Sequence, residues 1–289
     1  MITSKEHFLV LLILSAPFLG SYVSTILVGA GQKRSIINPV FSNCSNCGHQ
    51  ILLIHKIPIL AYIILKGACY RCKTPISWTY ITLETGFLIS SVLAILVLPN
   101  QTFDRIFFAI ILAWIFLPLS IFDIQKQRLP DLATIPLACA ALVQGYFLPY
   151  VNFIDCLFGL ILGFVLSATV SISYCKIRGQ TGLGWGDVKL ISAVGALIGW
   201  QFLPWFVFFA SISALMYVIL QIIIRGRQAG RERIPFGPFL CGSSWLVWLY
   251  SISWFDLNNT SASKNLRLDD LCLERFARYL LILIKKVRV

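Results

Sequence analysis

The sequence predicts an all-α polytopic membrane protein of about eight transmembrane helices, carrying a small cytoplasmic zinc-binding insert. Three observations lead there. First, 58% of the 289 residues are hydrophobic, 12% are charged, and the mean hydropathy is +0.81, which leaves too little polar surface to cover a soluble globule. Second, the apolar residues fall into long runs, each close to the roughly 17 to 25 residues that cross about 30 Å of hydrocarbon. Third, the excess positive charge, net +12, is scattered through the short gaps between those runs instead of gathering on one domain. That distribution orients spans in a bilayer and argues against a nucleic-acid partner.

The first run, 8–30, is longer than the apolar part of a secretory signal, so it is expected to stay as a span. No lipidation box is present. Seven more runs follow, at 82–99, 103–122, 132–150, 153–174, 188–204, 205–224 and 236–255. Each must be helical, because an open sheet cannot satisfy its backbone in lipid. With the N-terminus outside, the inner loops are 31–81, 123–131, 175–187 and 225–235. Together with boundary Lys189 these hold nearly all the loop lysines and arginines, whereas the short outer loops hold only Lys5 and Arg105. The basic tail, 256–289, breaks the alternation. Its stretch 271–284 has helix-like apolar spacing and is read as an interfacial amphipathic helix.

The first inner loop carries Cys44 and Cys47, then Cys69 and Cys72, two CxxC pairs with 21 residues between them. The gap is one residue longer than the usual upper bound of about 20, and four thiolates form a closed tetrahedral site. In a reducing cytoplasm a structural zinc is favoured over two disulfides. His49 and His55 are then surface residues, and the apolar run 57–65 is too short to span and is read as a strand or an interfacial segment. Cys139, Cys156, Cys175, Cys241 and Cys272 stand alone and read as small hydrophobes, since no histidine lies in a span to activate a thiol.

Two carboxylates remain. Asp187 follows the glycines of Gly182, Gly184 and Gly186 at the mouth of one span, and Asp123 closes another. The orientation above puts both on the cytoplasmic face although they are 64 positions apart. An ionisable group at a membrane boundary is a functional candidate by default, and two close carboxylates can share a proton, one acting as acid while the other activates water. The competing reading makes each a helix-end anchor held by the backbone dipole. Spacing alone leaves both open.

Gly184-Trp185-Gly186-Asp187 is a GxGD box, and with Asp123 and Leu129-Pro130-Asp131 it resembles the type IV prepilin peptidase family, the prepilin leader peptidase/N-methyltransferases, which are membrane aspartyl proteases. Further likenesses follow in order: Gly20-Ser21-Tyr22 in the first span, the double CxxC with Ile57-Pro58 inside it and Ile76-Ser77 after, Leu83-Glu84-Thr85-Gly86, and Ile234-Pro235-Phe236-Gly237-Pro238-Phe239. Tyr22 stands where the family usually has phenylalanine.

The resemblance implies a bacterial inner-membrane, multi-pass endopeptidase with its active site facing the cytoplasm. It would cleave the leader of type IV prepilins or type II secretion pseudopilins with Asp123 and Asp187 as the catalytic pair. It also implies N-methylation of the new terminus with S-adenosylmethionine as methyl donor, since the double CxxC marks members with that activity. Gly184, Gly186, Lys189, Asp131 and Glu84 are expected to support the site, Asp131 in a lesser role. No residue is assigned to S-adenosylmethionine, because no glycine-rich cofactor loop is visible. The expected organisation is a first span at 1–30, the zinc domain at 31–81, a seven-helix peptidase core at 82–255 and the tail at 256–289. Membrane lipid and the pilin precursors are the expected partners; the oligomeric state is not indicated. The competing readings are a peptidase without methyltransferase activity, and a non-enzymatic assembly or transport protein whose zinc loop docks a partner.

Overall fold

A computed structural model describes residues 4–31, 44, 46–48, 57–98, 102–147, 151–179, 182–226 and 234–261. Among these the regular structure is helical apart from one isolated bridge between Ala68 and Pro75. The helices are α1 Ser4–Gly31, α2 Leu60–Ile64, α3 Trp78–Val97, α4 Phe103–Lys126, α5 Asp131–Phe147, α6 Phe153–Arg178, α7 Trp185–Ile198, α8 Leu203–Arg225 and α9 Gly237–Ser261. Five stretches are long and apolar enough to cross a membrane: His7–Gly29, Trp78–Val97, Phe103–Lys126, Phe153–Arg178 and Trp200–Arg225. This is a multi-pass membrane protein. The chain divides into two compact units, Met1–Phe122 and Asp123–Val289.

In the first unit α1 lies along α3. Gly20 makes that approach possible: a Cβ there would stand 2.8 Å from the Leu83 carbonyl oxygen and 2.9 Å from Glu84 Cα. Ala16, Leu83, Phe87 and Ile121 form the buried centre, with Trp114 stacked on Phe87 at a 5.4 Å ring separation. The Trp114 indole N–H is satisfied by Ser91 Oγ at 3.1 Å, as an indole in an apolar core requires. Helix α3 starts before the apolar run at 82 because Ser77 caps it, its hydroxyl accepting from the Thr79 amide.

The short apolar run 57–65 is not a strand: its centre is the single helical turn α2. Apolar runs of that length fit either state by pattern, and here the backbone closes i to i−4 bonds such as Ala61 to Ile57 at 2.9 Å. The histidines at 49 and 55 and the tail beyond 261, including Cys272, lie outside the described residues.

The second unit is organised around α7. Every residue from Val188 to Ile198 except Lys189 is buried, and α5, α6, α8 and α9 all pack against it. A helix apolar all round belongs in a core, which is why 14 residues suffice here although the sequence suggests a span of 188–204. The helix stops at Gly199, whose φ of +80° suits glycine, and Pro204 belongs to the first turn of α8 instead. Within the run 132–150 the described residues form Asp131–Phe147.

Helices α6 and α7 meet backbone to backbone. A Cβ on Gly159 would collide with the Gly195 carbonyl, one on Gly195 with the Gly159 carbonyl, and one on Gly163 would lie 2.9 Å from the Ile191 oxygen. Three hydrogen bonds run along the seam: Ser171 to the Leu183 carbonyl at 2.8 Å, Ser192 to the Leu160 carbonyl at 2.8 Å, and the Trp200 indole to Asp155 at 2.9 Å. Small residues and interhelical hydroxyls hold membrane helices together where the hydrophobic effect cannot.

Candidate active site and zinc cluster

Both acids are carried by the second unit, Asp187 in the first turn of α7 and Asp123 in the last turn of α4. Asp187 occupies the third position of α7, after its cap residue Gly184 and then Trp185 and Gly186. Its carboxylate turns back to accept from the Gly184 amide, the acidic half of a capping box. With no side chain at 184, the returning carboxylate meets no obstacle; the nearest atom to a Cβ there is Asp187 Oδ2 itself at 3.3 Å. Asp123 lies in the last turn of α4 and is almost fully buried. Its Oδ2 accepts from the amide of Gly237, the first residue of α9, at 2.8 Å. The two carboxylates are near enough for the charge of Asp123 to act on Asp187.

The glycine of the GxGD turn between them has a different task. A Cβ on Gly186 would fall 2.9 Å from Leu129 Cβ and 3.2 Å from its amide nitrogen, so the α4–α5 connection lies directly over the turn. That connection bends sharply after α4, with Gln127 at φ +50° and its amide donating to the Asp123 carbonyl at 2.8 Å. Past Leu129, Asp131 opens α5 and its Oδ1 accepts from Lys189 Nζ at 2.6 Å.

Of the residues expected to matter, the structure therefore brings together Asp123, Asp187, Gly184, Gly186, Asp131 and Lys189. Glu84 belongs to the first unit. There its Oε2 accepts from the Ile59 amide at 2.7 Å, and the Ser21 hydroxyl also bonds it. Ile59 is held at φ +65°, uncommon for a β-branched residue, so Glu84 fastens a strained entry into α2. Gly237 was not expected as a site residue. Its only signal in the sequence is its place in Ile234-Pro235-Phe236-Gly237-Pro238-Phe239, between two prolines that lack amides of their own.

Also in the first unit, the Sγ atoms of Cys44, Cys47, Cys69 and Cys72 all lie within 4.8 Å of one another. Cys44 Sγ and Cys72 Sγ are 3.7 Å apart, close to the ligand separation of about 3.8 Å that four 2.3 Å zinc–sulfur bonds produce in a tetrahedron. The two halves share one turn. The amide after each CxxC, Gly48 and Lys73, returns to the first cysteine's carbonyl at 3.0 Å, with φ of +66° and +57°. Amides and a hydroxyl point at the sulfurs. Cys72 is held down to about 6 by the Thr74 hydroxyl and amide, and Cys44 is lowered by the amides of Cys47 and Asn46. Thiolate is the form that binds metal, and the donor set suits zinc.

The chain matches the Bacterial Peptidase A24 N-terminal domain over residues 13–98 and the Type IV leader peptidase family over residues 110–219. A prepilin leader peptidase/N-methyltransferase of Aeromonas salmonicida is 32% identical over 213 residues, 73% of this chain and 72% of that protein. The protein of the same name from Pseudomonas aeruginosa is 31% identical over 221 residues, 75% of each chain. One from Burkholderia pseudomallei is 34% identical over 201 residues, 69% of this chain and 63% of that protein. No solved structure matches the chain.

Proposed function

The chain belongs to the type IV leader peptidase family, and from that premise we propose that it is a membrane aspartyl endopeptidase that removes the leader of prepilins or pseudopilins, with Asp123 and Asp187 as its catalytic pair. The observation that carries the assignment of the pair is their placement. Two carboxylates from helices far apart in sequence interact at one spot, each held by the backbone amide of a glycine.

Two such groups share a proton, so at working pH one is ionised and the other protonated, and they titrate as a unit. The ionised carboxylate takes a proton from water as the oxygen attacks the scissile carbonyl carbon, and the protonated one gives its proton to the carbonyl oxygen. Collapse of the tetrahedral diol breaks the C–N bond as the amine nitrogen gains a proton, freeing the leader carboxylate and a new N-terminus. Gly237 occupies one oxygen of Asp123 and leaves Oδ1 for water.

The relatives' names support a second step in which the new amine takes a methyl group from S-adenosylmethionine as co-substrate. Cys44, Cys47, Cys69 and Cys72 would hold a zinc ion that fixes the fold of the insert; with four protein ligands it leaves no coordination position for a substrate. In this reading residues 82–255 form the peptidase core, 31–81 the zinc-stapled insert and 256–289 a basic tail. The asymmetry of loop charge supports an inner-membrane protein whose acids face the cytoplasm, with lipid around its spans.

The test is mass spectrometry of a prepilin incubated with membranes that contain the native chain, Asp123→Asn or Asp187→Asn, with S-adenosylmethionine present. Cleaved and methylated product from the native chain alone supports both activities. Cleavage without methylation keeps only the peptidase. Cleavage by either well-folded asparagine variant removes the catalytic pair, and an inert, folded native chain returns weight to a docking or transport role.

A further inference from the structure

The Asp131–Lys189 pair stands beside the acids without touching either in the hydrogen bonds of the site. Lys189 follows Asp187 by two positions on α7, about 200° around the helix, so the two side chains leave the helix on nearly opposite sides. The Lys189 ammonium reaches α5, to Asp131 Oδ1 at 2.6 Å, although Lys126 and Arg128 are much closer to Asp131 along the chain. The side chains are 38% and 58% exposed, and a pair so open to water adds little to stability. Its consequence is geometric.

The chain from Asp123 to Asp131 forms a strap anchored in three places. Its start is tied to α9 through Asp123 and Gly237, its middle rests on Gly186 through Leu129, and its end is tied to α7 through Lys189. The first and last anchors bracket the reacting groups: one tie holds a catalytic carboxylate, and the other lands two residues from the second. Between them the backbone passes through Gln127 at φ +50°, a conformation that a non-glycine residue leaves readily unless its neighbours are fixed.

We propose that Asp131 and Lys189 are positioning residues, a clasp that fixes the α4–α5 strap on the GxGD turn and so sets the separation of Asp123 from Asp187. The proposal rests on the peptidase reading above. Because the clasp acts on the distance between two catalytic groups and not on the bound substrate, its loss lowers turnover and leaves substrate affinity in place. Because the pair is exposed, its loss shifts the strap's equilibrium, and turnover with it, by about 2- to 5-fold.

The test uses the full chain in membranes or detergent, with Lys189→Met, Asp131→Asn, the double variant and Lys189→Arg. Each single charge removal lowers kcat about 2- to 5-fold with KM unchanged, the double variant is no worse than the poorer single, and Lys189→Arg recovers most of the loss. Hydrogen exchange of the segment 124–131 accelerates in the same three defective variants and returns in Lys189→Arg. Unchanged exchange in the single variants overturns the clasp. Faster exchange with native kcat, a loss confined to KM, or additive losses in the double variant overturns its catalytic role. A native chain that cleaves no prepilin defeats the peptidase reading instead, and exchange alone then judges the clasp.

Discussion

Replacing Gly159 by alanine puts a methyl group into the α6–α7 seam, where it collides with the backbone oxygen of Gly195. No rotamer relieves this, because both partners are main chain. The helices must part by about 1 Å to restore ordinary contact distances. The bond from Ser192 to the Leu160 carbonyl, now 2.8 Å, would then be stretched beyond useful length. Overpacking costs about 1–3 kcal/mol and a lost interhelical hydroxyl bond about 0.6–1.7 kcal/mol. Alanine returns up to about 1 kcal/mol of helix propensity. The net is a destabilisation of about 0.6–3.7 kcal/mol, between about 3-fold and 500-fold in the ratio of folded to unfolded protein. Reversible unfolding in mixed detergent micelles reads that number, with Gly242→Ala as the control, since a Cβ at 242 meets nothing within 4 Å. Native-like stability in Gly159→Ala, or an equal loss in Gly242→Ala, would refute the claim that backbone contact sets the α6–α7 spacing.

Three further outcomes are expected. Gly237→Ala places a methyl 2.6 Å from Asp123 Oδ2, so it displaces the carboxylate; prepilin cleavage should fall on the order of 100-fold while Gly242→Ala stays active. The purified chain should carry about one zinc by elemental mass spectrometry, Cys47→Ser or Cys72→Ser should lose it, and Cys139→Ser should keep it. Glu84→Ala leaves the half-buried Ile59 amide without its acceptor at a cost of about 1 kcal/mol, and limited proteolysis should open the 57–66 segment first; Glu84→Gln keeps an acceptor and should resist.

The helices are legible in the sequence because lipid forces apolar runs of a fixed length, and the cysteine cluster because two CxxC pairs stand out at a recognisable spacing. The bounds of α7 are not, since enclosure by four neighbours and the φ of Gly199 decide them, and neither leaves a mark in a hydropathy window. The segment 57–65 is ambiguous for the same reason in miniature: a few apolar residues suit a strand or a helix until a hydrogen bond from the Ile59 amide to Glu84 fixes the entry. Both acids stand out in the sequence as charges at span ends, and Gly184 stands out with Asp187 in the GxGD box, but the holder of Asp123 does not. Gly237 lies 114 positions from Asp123, and its contribution is a backbone amide that every residue but proline could offer.

What selects glycine there is proximity, not the amide. The carboxylate lies so close to the start of α9 that any Cβ would displace it. The same logic explains Gly184 and Gly186 on the other acid: one leaves room for the carboxylate to return to its helix cap, the other for the strap that arrives from Asp123. The reading of each acid as a helix-end anchor and its reading as a catalyst are therefore not alternatives. Asp123 accepts from the first amide of α9 and Asp187 from the cap amide of α7, and these tethers hold the two acids near enough for the charge of one to act on the other.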